Sequence, residues 1–166
     1  MNRLIALGIT IGVLAGLFTW VSGSISSIGG LAAPLVVWVG FAAWACYYAA
    51  GGGKAGLGRV LLSNGSGLLW GWLILSAATL VNGSSAAVLG LFVALGAFGM
   101  CVQAFWGPLS FIPGAFVGAA AFFGNDTLFL PTPISLVAGA LLAYLSELAA
   151  DVLLSGSSRR SEPSAS

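Results

Sequence analysis

Six apolar stretches follow one another along the chain: Leu4–Val21, Leu31–Ala50, Val60–Val81, Ala86–Trp106, Leu109–Gly124 and Ile134–Leu154. Turn-forming pieces separate them: "SGSISSIGG", "GGGKAGLG", "NGSS", "WGP" and "GNDTLFLPTP". The stretches are apolar all round, which is the pattern of helices that face lipid rather than water. About 20 helical residues cross a hydrocarbon core, and five of the six have near that length. The fold class predicted is therefore all-α, a polytopic membrane protein built as a six-helix transmembrane bundle.

The fifth stretch departs from this length. It has 16 residues and reaches only ~24 Å at 1.5 Å per residue. Pro113 and Gly114 stand near its start. Proline is tolerated in a first helical turn, where its missing N–H has no partner to lose. The expectation is a short, tightly packed crossing helix that begins inside the bundle near Gln103. A buried helix start presents free donors and a positive dipole end to a small polar solute.

Composition agrees with a bilayer setting. Of 166 residues, 59% are hydrophobic and 5% charged, against about 25% charged in soluble domains; mean hydropathy is +1.07. A net charge of +1 is no footprint for nucleic acid. Histidine is absent, which removes the commonest general base and metal ligand. No nucleophile–base pair remains. "GGGKAG" lacks the ending of a phosphate loop, and no carboxylate cluster has the count for a metal site. Neither an enzyme nor a cofactor or metal is expected. Cys46 and Cys101 sit in apolar runs and read as unpaired small hydrophobes.

The basic residues are Arg3, Lys54, Arg59, Arg159 and Arg160. Six crossings place all of them on one side, the cytoplasm by the positive-inside rule. Residues 1–154 are then the membrane domain, and Ser-rich 155–166 a disordered cytoplasmic tail. Arg3 and Val21-Ser22-Gly23 also fit a signal peptide, but the apolar run is long for one and favours a span.

Glycine organises the predicted packing. Gly8, Gly12 and Gly16 repeat every fourth residue, as do Gly67 with Gly71 and Gly114 with Gly118. Such spacing lets helix backbones approach closely, within the chain or between copies of it. Polar residues inside the stretches are few. Asn64, at the start of the third stretch, and Gln103, at the end of the fourth, are amides that either cap helices or touch a passing solute. Glu147 shares a face with Asp151 and pairs with Arg3, Lys54 or Arg59, unless it handles a cation. The candidates for a solute path are Asn64, Gln103, Ser110, Pro113, Gly114 and Glu147; those for packing are Gly8, Gly12, Gly16, Gly67, Gly71 and Gly118. "FAAWACYY" around Cys46 and "LGAFGMCVQ" around Cys101 hint that stretches two and three echo four and five in parallel orientation.

"MCVQA" followed by "SFIPGAFVGA", with the opening "GITIGVLAGLFTW", resembles the YcdZ-like family of small bacterial inner-membrane proteins, a domain of unknown function. The likeness covers roughly residues 3 to 150. It implies a bacterial inner-membrane helical bundle and supplies no activity. Two readings follow. One is a channel or facilitator for a small, mostly uncharged solute, whose partners are the lipid bilayer and that solute. The other is a structural membrane protein that assembles, as a homo-oligomer, through its glycine faces.

Overall fold

The computed structural model describes residues 2–27, 35–81, 85–127 and 130–159. Among the described residues there are six α-helices: α1 (Arg3–Ser27), α2 (Val37–Ala49), α3 (Gly53–Leu80), α4 (Ala86–Val102), α5 (Ile112–Gly124) and α6 (Pro131–Arg159). Two 3-10 turns, Gln103–Phe105 and Gly107–Leu109, join α4 to α5. Helix is the expected form here, because a chain in hydrocarbon must satisfy its backbone within the segment. Four apolar segments are long enough to cross a bilayer among the described residues: Arg3–Ile25, Gly53–Leu80, Ala86–Phe105 and Pro131–Ser157.

The other two helices, α2 and α5, have 13 residues each. The short fifth helix was expected; the short second one was not. Residues 31–34, which the sequence pattern added to α2, lie outside the described residues. Helix α3 begins at Gly53, earlier than the predicted Val60, so most of "GGGKAGLG" is helical. Helix α6 continues past Leu154 to Arg159, into the predicted tail. Arg160 and the rest of that tail lie outside the described residues. Cys46 and Cys101 are both free, the first buried and the second exposed.

Helix directions follow from who touches whom. Along α2 and α6, the Val36 N–H donates to Ser135 Oγ (2.7 Å), Gly139 abuts Gly40, and Tyr48 Oη pairs with Ser146 Oγ (2.7 Å). These two helices run the same way. Along α5 and α3, Gly114 meets Ser63, Gly67 meets Ala115, and Gly71 meets Phe122, so this pair is also parallel. By contrast α3 and α6 run oppositely. Gly53 bonds Glu147 at one end, while Asn64 and Leu68 lie beside Leu136 and Pro133 further along. It follows that α2 and α5 are antiparallel.

The two halves of the chain repeat one another. The buried residues of α2 are Val39, Gly40, Ala43, Trp44, Cys46 and Tyr47. Those of α5 are Gly114, Ala115, Gly118, Ala119, Ala121 and Phe122, every one displaced by 75 positions. The helix ends correspond too. The Gly52 N–H donates to the Tyr47 carbonyl, and the Thr127 N–H to the Phe122 carbonyl, both at 3.1 Å. Gly51 and Gly52 have positive φ, and so do Asp126 and Thr127. Between α3 and α6 the shift is 72: Ser63 matches Ser135, and Gly67 matches Gly139, each glycine lying against the equivalent backbone, Ala115 or Gly40. The larger contacts obey the same exchange, since α3 packs on α5 as α6 packs on α2, and α4 on α3 as α1 on α6. Thus α1–α3 and α4–α6 are inverted repeats about a pseudo-two-fold axis perpendicular to the long helices. This corrects the parallel echo of stretches two and three with four and five.

Close glycine contacts draw the repeats together. A Cβ on Gly67, Gly118 or Gly139 would collide with backbone atoms of Ala115, Asn64 or Gly40, and one on Gly71 would strike the Phe122 ring. Gly67, Gly71 and Gly118 were expected to pack; Gly40 and Gly139 were not singled out. For Gly8, Gly12 and Gly16 the expectation of packing within the chain is overturned. A Cβ at any of them meets nothing within 4 Å. Helix α1 instead turns its Ala6, Thr10, Phe18 and Ser22 stripe inward, so the glycine stripe faces out.

Candidate functional site

The axis of the repeat runs through a small cavity between α3 and α6, of about 50 Å³. Its lining reads as equivalent pairs: Leu61 with Pro133, Asn64 with Leu136, and Gly65 with Val137, joined by Leu68. Asn64 thus faces its own counterpart across the axis. It lies in the interior of α3, not at the helix start where the sequence pattern placed it. Its side chain is 2% exposed. Neither Oδ1 nor Nδ2 has a hydrogen-bond partner among the described residues, and the buried Ser63 Oγ is likewise unpaired. An orphaned polar group in such a place costs about 1–3 kcal/mol. Gly118 covers the Asn64 main-chain carbonyl and fixes the position of the residue against α5.

Ser135, the counterpart of Ser63, behaves differently. It donates to the Pro131 carbonyl (2.7 Å) and accepts from the Val36 N–H, which ties it to the start of α2. The matched serines therefore sit at the starts of the two short helices, one satisfied and one free. The repeated spacing Ser-xxx-Gly, at Ser63/Gly67 and Ser135/Gly139, was the signal in the sequence for this arrangement.

Gln103 lies at the end of α4 and is fully engaged. Trp70 Nε1 donates to its Oε1 (2.9 Å), and its Nε2 donates to Ser66 Oγ (3.1 Å). It joins α4 to α3 rather than standing open. Ser110 and Pro113 are exposed, while Gly114 is buried against Ser63 and Phe111. Of the six path candidates, Asn64 alone lines the axis cavity, and Gly114 touches its neighbour Ser63.

Glu147 belongs to a separate cluster at the α2–α3 turn. Tyr47 Oη and the Gly53 N–H (2.9 Å) both donate to its Oε2, and Arg3 Nη2 donates to Oε1 (3.3 Å). Gly51, Gly52 and Gly53 have φ of 97, 68 and 62°, a run that only glycine adopts easily. The carboxylate thereby caps α3 and binds it to α1, α2 and α6. Arg59 closes the same end, donating to the Ala50 carbonyl (3.3 Å). The equivalents of Tyr47 and Glu147 are Phe122 and Leu75, so the latch exists in one repeat only. Glu147→Gln is expected to lower stability by about 1.5–3 kcal/mol, the worth of hydrogen bonds to a charged group. Arg3→Ala should cost under ~1 kcal/mol, since that guanidinium is 62% exposed. Unfolding in detergent, followed by circular dichroism, measures both.

Residues 8–151 match the family described as "Protein of unknown function (DUF1097)". The chain belongs to this family. Among curated proteins, DUF1097 relatives include the uncharacterized protein YahC of Escherichia coli K12, 35% identical over 96% of this chain and 98% of that protein. The inner membrane protein YcdZ of the same organism is 35% identical, covering 87% and 83%. YcdZ of Salmonella typhimurium LT2 is 34% identical, covering 87% and 85%. No solved structure matches. Together with its four long apolar segments, membership marks this DUF1097 chain as a membrane protein.

Proposed function

We propose that this DUF1097 protein is a facilitator of the bacterial inner membrane that passes a small, mostly uncharged solute between its two repeats. The observation that carries the reading is the buried, unpartnered carboxamide of Asn64, a residue of the axis-cavity wall. Membrane proteins built from inverted repeats commonly place their solute sites at the repeat interface near the bilayer midplane. Charge is scarce in the interior, and Glu147 is already engaged with Arg3, Tyr47 and Gly53, which favours a neutral solute. The inner-membrane location follows the names of the YcdZ relatives. The open Gly8/Gly12/Gly16 face favours a second reading, assembly through α1 without transport.

The test is uptake into proteoliposomes of urea, short amides, glycerol, ammonia and small carboxylates. Flux above empty vesicles for a neutral solute is expected, with Gln103→Leu retaining flux per folded molecule. Absence of flux for every solute would leave the assembly reading. The same proposal has six crossings with both termini cytoplasmic. Reporter fusions after Asp126 and Ser161 are expected to report periplasm and cytoplasm respectively, and a reversed pair would contradict that topology.

A further inference from the structure

We infer that the axis cavity binds a small neutral primary amide or urea, gripped at two points by the Asn64 carboxamide; the inference deepens the facilitator reading and rests on it. Asn64 is nearly fully buried and is one of the residues that line the cavity, and its carboxamide is buried and unpaired at both ends among the described residues. It offers an acceptor, Oδ1, beside a donor, Nδ2. A hydroxyl donates and accepts through one oxygen, so it reaches Oδ1 and Nδ2 together only through two bent hydrogen bonds, which are weaker than straight ones. A carboxylate answers Nδ2 with one oxygen but sets its other oxygen against Oδ1. An ammonium ion answers Oδ1 and repels Nδ2. An amide or urea carries N–H and C=O at the same spacing as asparagine itself, so it closes a ring of two hydrogen bonds.

The walls add two restrictions. About 50 Å³ admits a few heavy atoms, given that a cavity needs ~10–15 Å³ to hold one water. Leu61, Leu68, Pro133, Leu136 and Val137 supply no charge, and an ion without a counter-charge is costly in apolar surroundings. The pseudo-symmetry also makes the grip one-sided. Leu136 stands where a second amide would be, so the solute is held by a single side chain. That suits a site whose occupant must leave as readily as it enters.

The experiment is saturation-transfer NMR on the full-length protein in detergent, with acetamide as the probe and acetate and glycerol as comparators. Acetamide is expected to receive signal from the wild type, and acetate and glycerol none. The signal should vanish in Asn64→Leu. It should return in the exchange variant Asn64→Leu/Leu136→Asn, because the exchange carries the carboxamide to the equivalent position across the axis. Equal acetamide signal in Asn64→Leu, or signal for acetate or glycerol in place of acetamide, overturns the inference. The comparison of probes on the wild type stands even where a variant fails to fold. Acetamide binding without flux in proteoliposomes would overturn the facilitator reading and leave the amide site. Glycerol or ammonia flux without acetamide binding would do the reverse.

Discussion

Asn64→Leu raises the thermal stability of the detergent-solubilised protein. The carboxamide is buried with no partner at either end among the described residues, and leucine removes a desolvation cost of about 1–3 kcal/mol. The change in volume is small, and the adjoining cavity of about 50 Å³ accommodates the branched methyls. A gain of that size moves an unfolding midpoint by several degrees. The opposite sign would show that Asn64 is held by a hydrogen bond that stabilises the fold. A residue that weakens its own protein is best explained by use, which is why the stability gain and a loss of flux are expected in the same variant.

Gly118→Leu and Gly139→Leu abolish folding, or lower stability by about 3 kcal/mol or more. Overpacking a core commonly costs 1–3 kcal/mol, because side chains shift. Here the added atoms meet main chain, the Asn64 carbonyl in one case and the Gly40 carbonyl in the other, and helix backbones cannot yield as a rotamer can. Gly12→Leu is the control. A Cβ there has open space, so the stability of the isolated chain should change by less than ~0.5 kcal/mol. Unfolding of the three variants, measured side by side, checks the assignment. Equal losses in all three would mean that α1 packs through its glycine stripe after all.

These contrasts show what the amino-acid pattern carries. Spans, turns and the short fifth helix are written in local hydropathy and in the Pro113–Gly114 pair. The start of α3 is not. Five glycines in "GGGKAGLG" argue for a turn, and the helix begins at Gly53 because Glu147, 94 positions later in the chain, caps it. Gln103 drew attention as a lone amide, yet a sequence shows polarity and not pairing; Trp70 and Ser66 absorb it. Asn64 shows the converse, since a start of α3 at Val60 puts it in a capping position, whereas the observed start at Gly53 puts it in the helix interior. Spacing of four at Gly8, Gly12 and Gly16 describes a flat helix face without saying what lies against it. Gly40 and Gly139 are not spaced by four within their helices, yet they meet across α2 and α6. Ser63/Gly67 and Ser135/Gly139 keep their identity, but in α2 and α5 the inverted repeat is hidden because its register is fixed by burial, with Tyr47 matched to Phe122 and Val39 to Gly114.

The proposed facilitator passes its solute between the repeats at Asn64. Acetamide uptake into proteoliposomes, normalised to folded protein and compared between wild type and Asn64→Leu, tests it most directly. Rapid uptake is expected with the wild type and uptake at the level of empty vesicles with the variant, although the variant is expected to be the more stable protein. Equal uptake by the two would contradict it.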